Sequence, residues 1–349
     1  MSDQFPTARL AAVQAASVFL DREGSTAKAC RLIAEAGTAG ADVIGFPEGF
    51  IPAHPIWYHF RPASGRASMQ LARELFKNAV EIPSAETDAL GEACRKAGLI
   101  AVIGVCEKEP GTTGTMYNTQ LIIDRDGSII GRHRKLVPTL GERIVHAPGG
   151  GETMTAVPTH LGPLGALACG ENANPLAAFV LAVQSVVMHV ASWPSLFGVG
   201  VDMIAAIEAR TRGLAQTLRC FVINSIGVVD DAAIEACAAN DEDREVMRIA
   251  AEAGGSSILT PRGAYLAGPM AGGEGILYAD ADFEDILVPK IAMDLGGHYN
   301  RFDVFRVLLN AGGQEIDLTA SGARGGARAP VPLLRPESHA VPVWAEPED

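Results

Sequence analysis

Apolar residues in this chain come in short runs that alternate between a strand period and a helix period. Ala8-Arg9-Leu10-Ala11-Ala12-Val13-Gln14 reads as a first strand. Across residues 25–39, Ala29, Leu32, Ile33 and Ala36 recur at helical spacing until Gly37 and Gly40 end the pattern. Asp42-Val43-Ile44-Gly45-Phe46 is a short buried strand that delivers Pro47-Glu48-Gly49 at its carboxyl end. Helices are predicted over 65–79 and 85–97, then a strand over 99–106. Residues 115–124 and 128–132 form a hairpin about Asp126-Gly127. The second half repeats the rhythm: a strand ending at Cys169, a helix from Pro175, a strand over 186–190, a helix over 203–218 and a strand over 221–225.

Strands alternating with helices, with hairpins between, predict an α/β fold of mixed sheets with helices packed outside them. The acidic segment 230–252 reads as an exposed insertion carrying a helix. After Leu309 the chain turns Gly-, Arg- and Pro-rich, so one compact domain over 1–310 is expected. A tail over 311–349 then either dangles or lies along a neighbouring subunit. Gly254-Gly255-Ser256-Ser257 reads as a turn entering a strand.

Composition narrows the partners. The chain has 349 residues, 48% of them hydrophobic, enough for a large core. Its net charge of -13 argues against nucleic acid or an anionic membrane surface, both of which need clustered positive charge. The uncharged stretch 172–201 is long enough to cross a bilayer, but Gln184, Ser185, His189, Ser192 and Pro194 interrupt it, so helix plus strand is the better reading. Cys30, Cys94, Cys106, Cys169, Cys220 and Cys237 are scattered, with no C-x-x-C pair; free thiols in a reducing compartment are expected. The first residues lack the order of a signal peptide, and a cytoplasmic location follows as the expectation.

Chemistry concentrates at three strand ends. Cys169 closes the run Leu164-Gly165-Ala166-Leu167-Ala168 and opens into small and polar residues, where a thiol is held rigidly yet can be reached. A thiol attacks an electrophilic carbon as thiolate, so it needs a base or a neighbouring cation. Glu48 suits the base. Lys135 suits a cation that lowers the thiol pKa and stabilises developing negative charge, and Glu142 suits a group that orients Lys135. Taken singly, each has a plainer reading: a core cysteine, a capping carboxylate, a solvated basic run, and a Glu142–Arg143 surface ion pair. His54, Trp57 and Tyr58 fit either a pocket or subunit packing, and Trp193 and Pro194 either a pocket or the core.

Three stretches in order and spacing resemble the nitrilase superfamily, and within it the nitrilase branch. They are Gly45-Phe46-Pro47-Glu48-Gly49-Phe50, His133-Arg134-Lys135-Leu136-Val137-Pro138-Thr139-Leu140-Gly141-Glu142-Arg143 and Ala168-Cys169-Gly170-Glu171-Asn172. The segments 189–194 and 297–303 are similar to later motifs of that family. The resemblance implies a four-layer α-β-β-α sandwich that assembles as dimers, which associate further into spirals. It implies Cys169 as nucleophile, Glu48 as general base, Lys135 as stabiliser of the tetrahedral species and Glu142 as an additional carboxylate. It also implies no cofactor and no metal, and the eight histidines form no zinc spacing. The expected activity is hydrolysis of an organic nitrile to the carboxylic acid and ammonia. An amidase, a carbamoylase or a cyanide-degrading enzyme on the same scaffold are the alternatives, and a non-catalytic oligomeric scaffold the last.

Three positions depart from the family pattern: Gly170 and Leu140 where aromatic residues are common, and His146 where many relatives carry tryptophan. Losing those walls implies a wider, more polar pocket that takes bulkier or more polar nitriles. His54, Tyr58, His146, Gly170, Trp193 and Pro194 are accordingly the candidate substrate contacts.

Overall fold

The computed structural model describes residues 5–197 and 202–319. In chain order its elements begin with β1 (Thr7–Gln14), α1 (Arg22–Thr38), β2 (Val43–Gly45), α2 (Arg66–Asn78), α3 (Ala85–Ala97), β3 (Ile100–Lys108), β4 (Met116–Ile123) and β5 (Ile129–Arg134). There follow β6 (Leu164–Ala168), α4 (Pro175–Val183), β7 (Met188–Trp193), α5 (Met203–Leu218) and β8 (Phe221–Ile226). The last are α6 (Asp231–Cys237), α7 (Asp241–Ala253), β9 (Ser257–Leu259), β10 (Tyr265–Ala267), β11 (Gly275–Asp282), α8 (Leu287–Ala292), β12 (Leu308–Ala311) and β13 (Gln314–Asp317).

Two large sheets result, ordered β11-β1-β2-β3-β4-β5 and β10-β9-β8-β7-β6. Period-two alternation sorts their side chains into layers. On β1, Leu10 and Ala12 join Val102, Ala166, Val190 and Ile223 in a core between the sheets, whereas Ala11 and Val13 face Ile33, Ala36 and Leu90 of α1 and α3. On the far side Leu167, Ala191 and Val222 pack against Leu181, Ile207 and Leu214 of α4 and α5. Helices, sheet, sheet and helices therefore stack in four layers, as expected. The sheets approach closely at Gly45, where an added Cβ would lie 2.8 Å from Val190.

Local chemistry explains the helix limits. Ser84 and Thr87 close a capping box on α3, and Gly98 ends it at φ 70°, a left-handed conformation that suits glycine. Asn174 accepts from the amides of Leu176 and Ala177 at the start of α4, with Pro175 in the first turn.

Two expectations change. Residues 230–252 form two helices rather than one, and they are not a mere exposed insertion. Ala233, Ile234, Cys237, Ala238 and Met247 are buried in a fourth core with Ile56, Trp57, Leu75 and Ala79. The many acids hide these apolar positions, which recur at helical spacing and face one way. Second, β12 and β13 pair across position 310, and Leu309, Ile316 and Leu318 pack against the α4–α5 core. The Gly- and Pro-rich arm beyond, and Gly198 to Val201, lie outside the described residues. Among the described residues no helix is long and apolar enough to cross a membrane.

Candidate active site

Three strand ends converge. Glu48 follows β2 and is fixed by its own backbone, whose N–H donates to the Trp193 carbonyl across the sheets at 3.1 Å. Its loop lies flat on β3 because residue 104 is glycine: a Cβ there would sit 2.2 Å from the Pro47 carbonyl oxygen. The run of basic residues at the end of β5 divides by strand alternation. Arg132 and Arg134 pair with the buried Glu107 at 2.9 and 2.5 Å, while His133 and Lys135 turn inward and are buried. Lys135 is therefore no solvated charge.

The Lys135 ammonium donates to Glu48 Oε1 and to Glu142 Oε2, both at 2.7 Å, with all three side chains removed from solvent. Asn118 Nδ2, on β4, donates to Glu48 Oε1 at 2.6 Å and Glu142 Oε1 at 2.8 Å. The two carboxylates are nevertheless unequal. Glu142 also accepts from Thr139 N at 2.7 Å and His146 Nδ1 at 3.1 Å, so both its oxygens carry two donors. Glu48 Oε2 is buried and has no hydrogen-bond partner among the described residues. Burial opposes the charge on Glu142, yet Lys135 and His146 hold its carboxyl well below the usual range. Burial lifts Glu48 to about 7 against the pull of Lys135. Two carboxylates around one cation thus split into a permanent anion and a base poised near neutrality. Burial also disfavours the Lys135 charge, but Glu48 and Glu142 hold its pKa well above the ordinary value.

Cys169 sits at the tip of β6 with φ 50°, a left-handed conformation that costs a non-glycine residue about 1–3 kcal/mol. The charges of Glu48, Lys135 and Glu142 all act on its thiol, so Cys169 lies on the side of the fold that holds the carboxylate–lysine cluster. The expected downward pull of Lys135 on the thiol is present but outweighed. Burial, with Glu48 close by, pushes the thiol up to about 12 although Lys135 pulls the other way. The resting group is a thiol that needs a base, not a preformed thiolate.

The candidate substrate contacts divide. His54 is buried; its Nε2 meets the Tyr58 hydroxyl at 3.1 Å and its Nδ1 lies 3.9 Å from Glu48 Oε1. Burial drops its pKa to about 3, so the ring is neutral. His146 is spoken for by Glu142 through Nδ1, while its buried Nε2 has no partner among the described residues. Gly170 is exposed, and a Cβ there would meet open space. Trp193 is the exception. Its ring is wholly buried among the α4–α5 core and Nε1 donates to Asn224 Oδ1, so it reaches the site only through its carbonyl. The strand places alternate side chains on opposite faces, which sends this ring away from Glu48. Pro194, also buried, lies against Gly227.

Two residues escaped the sequence reading. Asn118 bridges both carboxylates, and the signal was the polar run Asn118-Thr119-Gln120 inside a strand. Asn172 donates through Nδ2 to the carbonyls of Leu167 and Cys169 at 3.2 and 3.1 Å and accepts from His189 Nε2 at 2.8 Å. Glu48, His54 and Glu142 place ligand-type atoms within 4.8 Å of one another. Lys135 Nζ already binds both carboxylates, however, and a divalent ion there would face that ammonium at close range.

Comparison with known proteins identifies the family. A family model described as carbon-nitrogen hydrolase matches residues 9–287. The chain is 36% identical over 314 residues to a nitrilase of Paraburkholderia phymatum, covering 89% of this chain and 88% of that one. It is also 36% identical over 315 residues to an aliphatic nitrilase of Rhodococcus rhodochrous, covering 87% and 83%. Among solved structures, a carbon-nitrogen hydrolase from Helicobacter pylori superposes with a TM-score of 0.64 at 18% identity, covering 82% of this chain and 93% of that one, a likeness of fold.

Proposed function

The chain belongs to the carbon–nitrogen hydrolase family, and from that we propose that it is a nitrilase releasing a carboxylic acid and ammonia from an organic nitrile. The observation that carries the reading is the bare Oε2 of Glu48 in a buried cluster shared with Lys135 and Cys169. Glu48 takes the thiol proton as sulfur adds to the nitrile carbon and passes it to the nitrogen, next to the Lys135 ammonium, which gives a thioimidate and restores the Glu48 carboxylate. Glu48 then deprotonates a water that attacks this carbon. The tetrahedral species, stabilised by Lys135, receives the water's proton back from Glu48 on its nitrogen, expels ammonia and leaves a thioester with Glu48 again ionised. A second water, activated the same way, releases the acid and restores the thiol. Glu142 stays ionised throughout and keeps Lys135 charged. Supplying one compound as nitrile and as amide tests the reading: efficient turnover of the nitrile is expected, and turnover of the amide alone would refute it.

The pH profile follows from Glu48. Its ionised form is the base, so kcat/KM rises with pH through about 7. Asn118→Leu removes a donor that favours the charged form and moves this limb to higher pH. A rate flat across that value would exclude Glu48 as the base.

For the substrate, we infer that His54 and Tyr58 border the pocket and that the gap beside Gly170 admits a bulky group. Gly170→Trp fills open space, so stability changes by about 0.5 kcal/mol or less, while kcat/KM for bulky aromatic nitriles falls about tenfold or more. An unchanged substrate profile would place the wall elsewhere. We also infer self-association in a cytoplasmic setting, supported for the assembly by the exposed apolar side chains of Val288, Ile291, Val304 and Phe305. Elution as a monomer on gel filtration would oppose the assembly.

A further inference from the structure

Another buried carboxylate near the cluster, Glu171, takes no part in the steps above. Its Oε1 accepts from Leu136 N at 2.6 Å; its Oε2 accepts from Ala168 N at 3.1 Å and from His133 Nε2 at 3.0 Å. The two amides are informative because of their neighbours. Leu136 directly follows Lys135, at the end of β5 in the six-stranded sheet. Ala168 directly precedes Cys169, at the end of β6 in the five-stranded sheet. One side chain therefore ties two sheets together, one residue away from the cation and one residue away from the thiol. His133 is itself held, with Nδ1 3.3 Å from both the carbonyl and the hydroxyl of Thr153.

We propose that Glu171, held by His133, is a positioning residue that sets the separation of the Cys169 sulfur and the Lys135 ammonium by drawing Ala168 and Leu136 onto one carboxylate. The inference rests on Cys169 and Lys135 acting as described above. A carboxylate suits the task because both its oxygens accept, and charge-assisted bonds to backbone N–H groups are short and strong. Glutamine of the same shape has one accepting oxygen and one NH2 group, so it must turn a donor toward Leu136 N or toward Ala168 N and His133. It can satisfy one side of the tie and not the other, and the unpaired amide is buried. The strained Cys169 turn, gripped through its carbonyls by Asn172, would then drift relative to Lys135.

The test is steady-state kinetics on one nitrile with Glu171→Gln, Glu171→Asp, His133→Asn and Cys169→Ala. Glu171→Gln is expected to lower kcat about 100-fold, the scale of a roughly 1 Å misplacement, with KM within about threefold of the parent. Glu171→Asp keeps two accepting oxygens on a shorter arm and recovers part of the loss. His133→Asn leaves the carboxylate in place and costs about tenfold, again in kcat. Unchanged kcat in Glu171→Gln and His133→Asn, or equal damage to kcat and KM, overturns the proposal. If Glu171→Gln does not fold, His133→Asn decides by the same criterion. An inactive Cys169→Ala beside unimpaired Glu171 and His133 variants defeats this inference alone, whereas an active Cys169→Ala defeats the catalytic reading beneath it.

Discussion

Replacing Cys169 with alanine abolishes ammonia release from every nitrile, a loss on the order of 10⁵-fold or more, because no other group at the site can form the covalent adduct. The other five cysteines cannot substitute. Cys94, Cys106, Cys220 and Cys237 are buried in cores, with Cys106 committed to the Ala53 carbonyl, and Cys30 lies beside α3 on the outer helical layer. Alanine accepts the φ of 50° no worse than cysteine does, so stability changes by about 1 kcal/mol or less. The variant should therefore be folded and inert, a combination that separates a chemical role from a structural one. Turnover in a folded Cys169→Ala protein would return this thiol to the status of an ordinary core residue.

Lys135→Met is expected to damage both activity and stability. Removing the ammonium leaves the Glu48 and Glu142 carboxylates facing one another in a buried site, with Asn118 as their only shared donor. Breaking a buried ion pair from one side costs about 3–5 kcal/mol. Activity falls about 10³-fold or more, since the developing negative charge loses its cation and Glu48 takes up a proton more readily. The double variant Lys135→Met/Glu142→Gln separates the two effects. Neutralising Glu142 relieves the repulsion and returns much of the melting temperature, but the rate stays low. Recovery of the rate along with stability would mean that Lys135 serves only to neutralise buried carboxylates.

The layers and most strand and helix limits were legible because burial imposes period two on strands and a broad apolar stripe on helices. In the fold the same periodicity separates Lys135 from its neighbours, since Arg132 and Arg134 fall on the opposite face, whereas the sequence reading left it in a single basic run. The catalytic residues were legible as motifs, but their inequality was not. Glu48 and Glu142 are the same residue type, and what distinguishes them is the number of donors on each oxygen, since Thr139 and His146 on Glu142's own turn add to what Lys135 and Asn118 give to both. Side-chain direction was hidden for a similar reason. Trp193 stands at a sheet end beside the site, yet strand alternation points its ring into the core. In residues 230–252, acids outnumber the apolar positions that actually dock the two helices.

The whole reaction turns on sulfur adding to carbon at Cys169. Acid quenching during steady turnover of a nitrile, followed by peptide mass mapping, tests it most directly. The peptide carrying Cys169 is expected to gain the mass of the nitrile or of its acyl group, and to lose it again when substrate is exhausted. Full ammonia release with that peptide unmodified throughout, or with the adduct on another cysteine, would contradict it.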